Sequence, residues 1–153
     1  MLLWLIETDV FQLTTTSKHF DVSCYFKTHL LILQYLDRIL WDNYVEQQKA
    51  LCRKLNVAWT ETEPNQLIGL ADNIELIPIH GLRHPIESNS AGWYIWTQEY
   101  SDNADFFKSV HSGHLVDIKP ELLKYLGLPP GYRFLIDDAG YEDIWYDETL
   151  LNV

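Results

Sequence analysis

The chain has 153 residues, of which 47% are hydrophobic and 22% are charged, as in one ordinary globular domain. Lys and Arg number 11 against 22 Asp and Glu, so the formal net charge is -11. This charge argues against a protein that binds nucleic acid or a membrane surface. It fits either a basic protein partner or a charge that serves solubility alone.

Cysteine content and the amino terminus both predict a cytoplasmic protein. Cys24 and Cys52 allow at most one intrachain disulfide, which fits a reducing compartment. Residues 1–6 are apolar but lack the basic segment of a signal peptide and soon meet acidic residues. The longest later apolar run, residues 30–33, is too short to span a bilayer.

The amino-terminal third changes its pattern near His29. Residues 1–28 hold two apolar clusters and a threonine-rich stretch, which fits a strand pair or an irregular arm. Helical spacing of apolar residues then predicts helices over 29–40 and 44–55. We expect a break near Asn43, because Asp and Asn are good helix caps.

The middle of the chain has the composition of short strands and loops. Apolar runs at 66–71 and 74–79 flank Asp-Asn, which predicts a hairpin. Residues 81–92 are rich in Gly, Pro, Ser and Asn and are expected to form a loop.

An aromatic strand is predicted over residues 93–97. Alternation places Trp93 and Ile95 on one face and Tyr94 and Trp96 on the other. Acidic and amide residues at the start of 102–110 could cap a short helix there.

The carboxyl-terminal third gives the clearest signals. Pro120 suits the first position of a helix and Gly127 suits its end, which predicts a helix over 119–126. Residues 132–137 and 142–146 read as two strands joined by an Asp-rich turn. Together these elements predict one α+β domain, an antiparallel sheet of about five strands packed by two or three helices.

Four histidines occur as two local pairs, and a metal site is one hypothesis for them. With the carboxylates near the carboxyl terminus, they would make a small metal-dependent hydrolase the alternative to a binding protein. The candidates are His80, His84, His111 and His114. They lack Cys partners and an HExxH pattern, so we expect no metal, no cofactor and no catalytic residues.

Aromatic and acidic residues concentrate after residue 92, which predicts an aromatic core for most of the rings. The pattern also fits interfaces in which aromatic anchors are surrounded by a polar rim. Acidic residues would steer a basic partner and aromatic residues would anchor it. The candidate partner-binding residues are Trp96, Tyr100, Asp137, Asp138, Tyr141, Glu142 and Asp143. A sugar-binding module, stacking on Trp93 or Trp96, is a third hypothesis.

Two arginines stand out in this acidic half of the chain. We expect Arg83 and Arg133 to be held by carboxylates such as Glu142 or Asp143. The functional alternative is an anion site formed by Arg83 and His84.

Five segments, in this order, resemble the bacterial immunity protein 33-like domain family. They are PIHGLRHP at 78–85, GWYIW at 92–96, DFF at 105–107, LGLPPGYRFL at 126–135 and YEDIWYD at 141–147. The resemblance covers residues 44–153, so residues 1–43 would be an amino-terminal extension of an arm and a helix.

The resemblance implies an intracellular antidote found near polymorphic-toxin loci. Such a protein is not an enzyme; it binds a cognate toxin domain and covers its active surface. The implied partner is therefore a protein, and neither nucleic acid nor membrane.

Overall fold

A computed structural model describes residues 22–72 and 74–152 of the chain. The chain divides into two compact units, Met1–Asp37 and Arg38–Val153. A strand pair or an irregular arm was expected over residues 1–28. Residues 1–21 lie outside the described part of the chain, and residues 22–28 are helical.

Helix α1, Val22–Leu55, is continuous. Its last turn contains Arg53 and Lys54, whose positive charges suit the negative end of the helix dipole. Both expected helices are confirmed as parts of α1, but the break near Asn43 is wrong. Trp41 and Tyr44, on either side of that point, pack against the core. Their burial outweighs the small helix cost of Asp and Asn.

A six-stranded sheet confirms the α+β class. The strands are β1 Leu67–Ala71, β2 Ile79–Arg83, β3 Ser90–Thr97, β4 Phe107–His111, β5 Tyr132–Ile136 and β6 Glu142–Tyr146. Their order across the sheet is β4-β1-β3-β2-β5-β6. The pairings are antiparallel except for β1 with β3, which is parallel.

The hairpin expected from 66–71 and 74–79 is wrong. Residues 74–78 form turns, and β2 begins at Ile79, because Pro78 has no N–H to donate to a strand ladder. β1 and β2 do not pair with each other, since β3 lies between them.

The loop expected over 81–92 is wrong at both ends, because β2 runs to Arg83 and β3 begins at Ser90. Gly81 is a strand residue here: a Cβ on it would lie 2.1 Å from Cε1 of Phe134. This glycine therefore marks a close approach of a ring to the backbone and not a turn.

The short helix expected within 102–110 is also wrong, because β4 occupies its second half. The capping chemistry is used in a turn instead: Oδ1 of Asn103 accepts the N–H of Asp105 at 3.0 Å. Asx turns and helix caps use the same side-chain geometry, so sequence alone does not separate them.

The positions of the carboxyl-terminal elements are confirmed, but Gly127 does not have the left-handed conformation of a glycine cap. It allows a close approach instead, because a Cβ there would lie 2.5 Å from Cβ of Gln48. Pro120 starts the 3₁₀ helix Pro120–Tyr125, and β5 and β6 form the expected hairpin. A short helix α2, Leu115–Ile118, and the 3₁₀ helices Ser112–His114 and Glu148–Leu151 complete the described elements.

The core lies between one face of the sheet and the helices. Trp93, Ile95 and Phe134 on this face are fully buried, and Tyr125 stacks on Phe134 with ring centres 4.3 Å apart. Leu122 and the other leucines of the helical layer join the same cluster. We call the opposite side of the sheet the outer face.

Candidate functional site

Strand register determines which side chains share the outer face. Trp93 and Ile95 point into the core, so Tyr94 and Trp96 between them point outward, as the alternation predicts. His80 pairs with Trp96 across β2 and β3, which places it on the outer face too.

An aromatic cluster lies on the outer face across β1, where side chains of β3, of β4 and of the segment that connects these two strands meet. We call it the aromatic cluster; its members are Tyr94, Trp96, Tyr100, Phe106 and Phe107. The rings of Tyr94 and Phe107 are 5.1 Å apart, and those of Trp96 and Tyr100 are 5.9 Å apart, both edge to face. This is a favourable aromatic geometry, so the cluster is a rigid surface.

Exposure separates supporting residues from accessible ones within the aromatic cluster. Tyr100 is 58% exposed and Tyr94 is 36% exposed, whereas Trp96 is 7% exposed. Trp96 therefore supports the surface from beneath, and the two tyrosines are available to a partner.

Gly69 on β1 makes room for Tyr94. A Cβ at this position would lie 2.6 Å from Cδ1 of the Tyr94 ring. A larger residue at position 69 would move that ring, so the glycine sets the position of an accessible tyrosine.

Two histidines border the aromatic cluster. His80 stacks on Trp96 with ring centres 5.1 Å apart, and burial lowers the pKa of its imidazole. Nδ1 of His84 lies 2.9 Å from the carbonyl oxygen of Leu150; since a carbonyl only accepts, this nitrogen carries the proton. Both rings have structural contacts within the fold.

A groove of about 580 Å³ lies beside the aromatic cluster. Its lining includes Leu82, His84, Pro85, Tyr94, Tyr100 and Phe107. Aromatic and apolar walls with a few polar groups suit the side chains of a protein partner.

Arg83 lies on the core face of the sheet, and the expectation that carboxylates hold it is wrong. Its guanidinium is fully buried and donates to five backbone carbonyls and one hydroxyl, with no carboxylate among its partners. The acceptors are the carbonyls of Thr60, Glu61, Ala91, Leu126 and Leu128 and the hydroxyl of Thr62. Burial lowers the pKa of Arg83 to about 10. The anion site is wrong as well, because these donors are used inside the core.

Arg133 does contact a carboxylate, but a different one from those expected. Its Nε lies 2.7 Å from Oδ2 of Asp147, whereas Glu142 and Asp143 were the candidates. The pKa of the Asp147 carboxyl is lowered, mainly by the hydrogen bond from the Thr149 hydroxyl and to a smaller extent by the positive charge of Arg133.

The β5–β6 hairpin carries the five other candidate partner-binding residues. Asp137 accepts the N–H groups of Ala139 and Tyr141, so it shapes the turn. Asp138, Tyr141 and Asp143 are exposed. The structure therefore brings Trp96 and Tyr100 together in the aromatic cluster and places the other candidates on a separate hairpin.

Glu142 is an exposed residue whose carboxylate is bonded to the neighbouring 3₁₀ helix. Its Oε1 accepts hydrogen bonds from Nζ of Lys124 at 2.7 Å and from the Tyr125 hydroxyl at 2.6 Å. These bonds lower the pKa of the Glu142 carboxyl, and burial beside this carboxylate raises the pKa of Tyr125.

The geometry does not support the alternative of a metal-dependent hydrolase. Among residues 22–72 and 74–152, no three His, Cys, Asp or Glu side chains converge as a metal site would require. His111 and His114 are neighbours, with ring centres 5.8 Å apart, but no third such ligand joins them in that part of the chain.

The sugar-binding hypothesis depended on exposed indole faces at Trp93 or Trp96. Trp93 is fully buried and Trp96 is 7% exposed, so neither ring offers a stacking platform. That hypothesis is wrong for these two residues.

Sequence reasoning missed Tyr94 and Phe107 as members of the site. Alternation along 93–97 already placed Tyr94 beside Trp96, so the signal was present. Phe107 was hidden because its segment was expected to be helical, which would have turned its ring elsewhere.

No helix in the described part of the chain combines the length and apolar character that crossing a bilayer requires.

Fold and surface together define a two-layer α+β protein with an aromatic cluster on the outer face of its sheet. A family model, the Imm33-like domain, matches residues 47–147, which contain the whole sheet and the aromatic cluster. The chain therefore belongs to the Imm33-like domain family. No curated protein and no solved structure matched the chain.

Proposed function

We propose that this protein is an immunity protein, a cytoplasmic antidote that binds a cognate bacterial toxin domain and covers its active surface. It performs no reaction of its own. The observation that carries the proposal is membership of the Imm33-like domain family, an immunity-protein family, over residues that include the aromatic cluster.

The accessible tyrosines of the aromatic cluster suit the anchoring step. Tyr94 and Tyr100 are large, amphipathic and held by ring contacts, so they lose little conformational freedom on binding. The adjacent groove would receive a side chain of the toxin. The buried Trp96 would fix the geometry of this surface.

Charge suits the encounter step. The net charge of -11 favours a toxin domain with a basic surface, such as a nuclease or another enzyme that acts on anionic substrates. Asp138 and Asp143 are exposed and have no lysine or arginine at ion-pairing distance in the described residues. They would raise the association rate more than the affinity.

The immunity-like domain is proposed to comprise residues 44–153, with residues 1–43 as an extension. The proposed partner-binding set retains Trp96, Tyr100, Asp137, Asp138, Tyr141, Glu142 and Asp143, to which the structure adds Tyr94 and Phe107. Within this set, Asp137 shapes the turn of the hairpin, and Glu142 binds the hairpin to the 3₁₀ helix Pro120–Tyr125.

Co-expression with the product of the adjacent gene tests the proposal. Expressed by itself, that product should kill the host. When both proteins are expressed, the host should survive and the two proteins should co-purify. If the host dies equally with and without this protein, the immunity function is wrong for that pair.

A further inference from the structure

Strand β6 forms one edge of the sheet, and its backbone is available on the side away from β5. The N–H of Asp137 bonds the carbonyl of Tyr141, and the N–H of Asp147 bonds the carbonyl of Gly131. Hydrogen-bonded and non-hydrogen-bonded pairs alternate along an antiparallel ladder. The backbone N–H and C=O groups of four residues therefore point toward β5: Tyr141, Asp143, Trp145 and Asp147.

The intervening residues of β6 therefore point their N–H and C=O groups outward. They are Glu142, Ile144 and Tyr146. None of these groups has a backbone partner in the part of the chain that the structure describes. A row of such groups is a template for one more strand.

Side chains on and beside this edge give it a definite character. Tyr141 and Tyr146 are each 51% exposed and Trp145 is 38% exposed, so apolar area is accessible along the strand. Asp138, Asp143 and Glu148 are exposed, and no lysine or arginine of the described residues lies at ion-pairing distance from them. The edge thus combines aromatic contacts with free negative charge.

The opposite edge, β4, differs in charge. The N–H of Ser112 bonds the carbonyl of Gln66. By the same alternation, the backbone N–H and C=O groups of Phe107, Ser109 and His111 point away from β1, beyond the edge of the sheet. β4 contains no carboxylate, and its Lys108 is paired with Asp72. Asp102 and Asp105 precede β4 and are exposed, but, among the described residues of the two edge strands, only β6 carries an exposed and unpaired aspartate, Asp143, on the strand itself. A cationic segment would therefore be attracted more strongly to β6 than to β4.

A second copy of this chain is a poor occupant for β6. Two β6 edges side by side would bring their aspartates and glutamates together, and like charges on paired strands are destabilising. The same carboxylates would stabilise lysine or arginine side chains on a strand placed there.

We propose that the outer edge of β6 binds an extended segment bearing lysine or arginine at alternate positions, which joins the sheet as a seventh strand. This inference rests on the proposed function, because the toxin domain is the protein that would contain the segment. The aromatic side chains of β6 would cover the aliphatic part of the added cationic side chains.

Amide hydrogen exchange by NMR tests the docking without the toxin. The full chain is fused after Val153, through a flexible glycine–serine linker, to a segment of about six residues alternating lysine and valine. Tethering raises the effective concentration, so a weak site is still occupied. The matched control carries glutamate in place of lysine.

We expect the amides of Glu142, Ile144 and Tyr146 to exchange at least about tenfold more slowly in the lysine fusion than in the glutamate fusion. Asp143 and Trp145, already bonded to β5, should change little. Equal exchange in the two fusions, or slowing confined to β4, would overturn the proposal. The core amides of Trp93 and Ile95 report that each fusion is folded.

A charge-swapped chain sharpens the test. Replacing Asp138, Asp143 and Glu148 by lysine should transfer the slowing from the lysine fusion to the glutamate fusion; slowing that stays with the lysine fusion would contradict the charge argument. Neither fusion contains the toxin, so these results are independent of host survival. A protein that protects the host but shows no selective slowing retains its immunity function and loses this docking site.

Discussion

The guanidinium of Arg83 lies over the indole of Trp93, 5.7 Å from the ring centre, and both side chains donate to the carbonyl oxygen of Leu126. Both side chains are fully buried. They connect β2 and β3 to the segment that follows the 3₁₀ helix Pro120–Tyr125. Because Tyr94 follows Trp93 on β3, this buried contact also fixes the strand that presents the aromatic cluster.

Replacing Arg83 by methionine should lower the free energy of unfolding by about 3 kcal/mol or more, because the buried carbonyls of Ala91 and Leu128 lose the donors that Arg83 provides. Urea denaturation measures the change. Arg133→Met is the matched control, since its ion pair with Asp147 is partly exposed and its loss should lower stability much less. Equal losses in the two variants would contradict the assignment of Arg83 to the core.

Glu142 should make stability depend on pH in the acid range. Hydrogen bonds from Lys124 and Tyr125 hold the pKa of its carboxyl below the ordinary value of 4.5. A lowered pKa in the folded state stabilises the fold above the unfolded-state pKa, and this contribution is lost as pH falls through the folded-state pKa. Unfolding free energies measured across pH 3–6, a range around that ordinary value, should fall less steeply with acid in Glu142→Gln than in the wild type. Parallel curves would show that Glu142 contributes nothing to the acid sensitivity.

Truncating the accessible tyrosines should separate binding from stability. Tyr94→Ala combined with Tyr100→Ala should weaken toxin binding at least about tenfold, because exposed aromatic anchors dominate interface energy. Isothermal titration calorimetry gives the affinity and a thermal melt gives the stability. Ile118→Ala, at 36% exposure in the helical layer, is the control and should bind normally. Unchanged affinity in the double variant would place the interface elsewhere.

Charge reversal should act on the association rate. Asp138→Lys with Asp143→Lys should slow association and flatten its dependence on salt. Asp137 is left intact because it accepts two N–H groups of the turn. Asp42→Lys with Glu61→Lys makes the same change in net charge at exposed positions outside the hairpin. Stopped-flow rates that fall equally in both pairs would indicate an effect of net charge alone.

Local chemistry predicted the parts of the fold where one signal dominates. Pro120 marks the start of a 3₁₀ helix, and the alternation of residues 93–97 gives the two faces of β3 correctly. The prediction failed where one signal has two structural uses. Asn103 shapes a turn instead of a helix cap, and Gly81 makes room for a ring instead of forming a turn.

The candidate site was only partly accessible from sequence for a related reason. Tyr100 and Trp96 were selected by residue type, but their contact with Phe107 depends on β4 being a strand, which was missed. The position of Arg83 in the core depends on carbonyls from three distant segments. No pattern in the sequence brings such groups together. The antiparallel pairing of β2 with β3 places Arg83 beside Ala91, and residues 60–62 and 126–128 reach it only through packing in the folded chain.

Host survival measures the proposed immunity function itself, in three strains that express one toxin, the product of the adjacent gene. We expect the wild type and Ile118→Ala to rescue growth, and the folded Tyr94→Ala, Tyr100→Ala double variant to fail or to rescue only at higher expression. Absence of rescue by the wild type would contradict the immunity function, and rescue by the double variant equal to that of the wild type at equal protein levels would contradict the anchoring role of the two tyrosines.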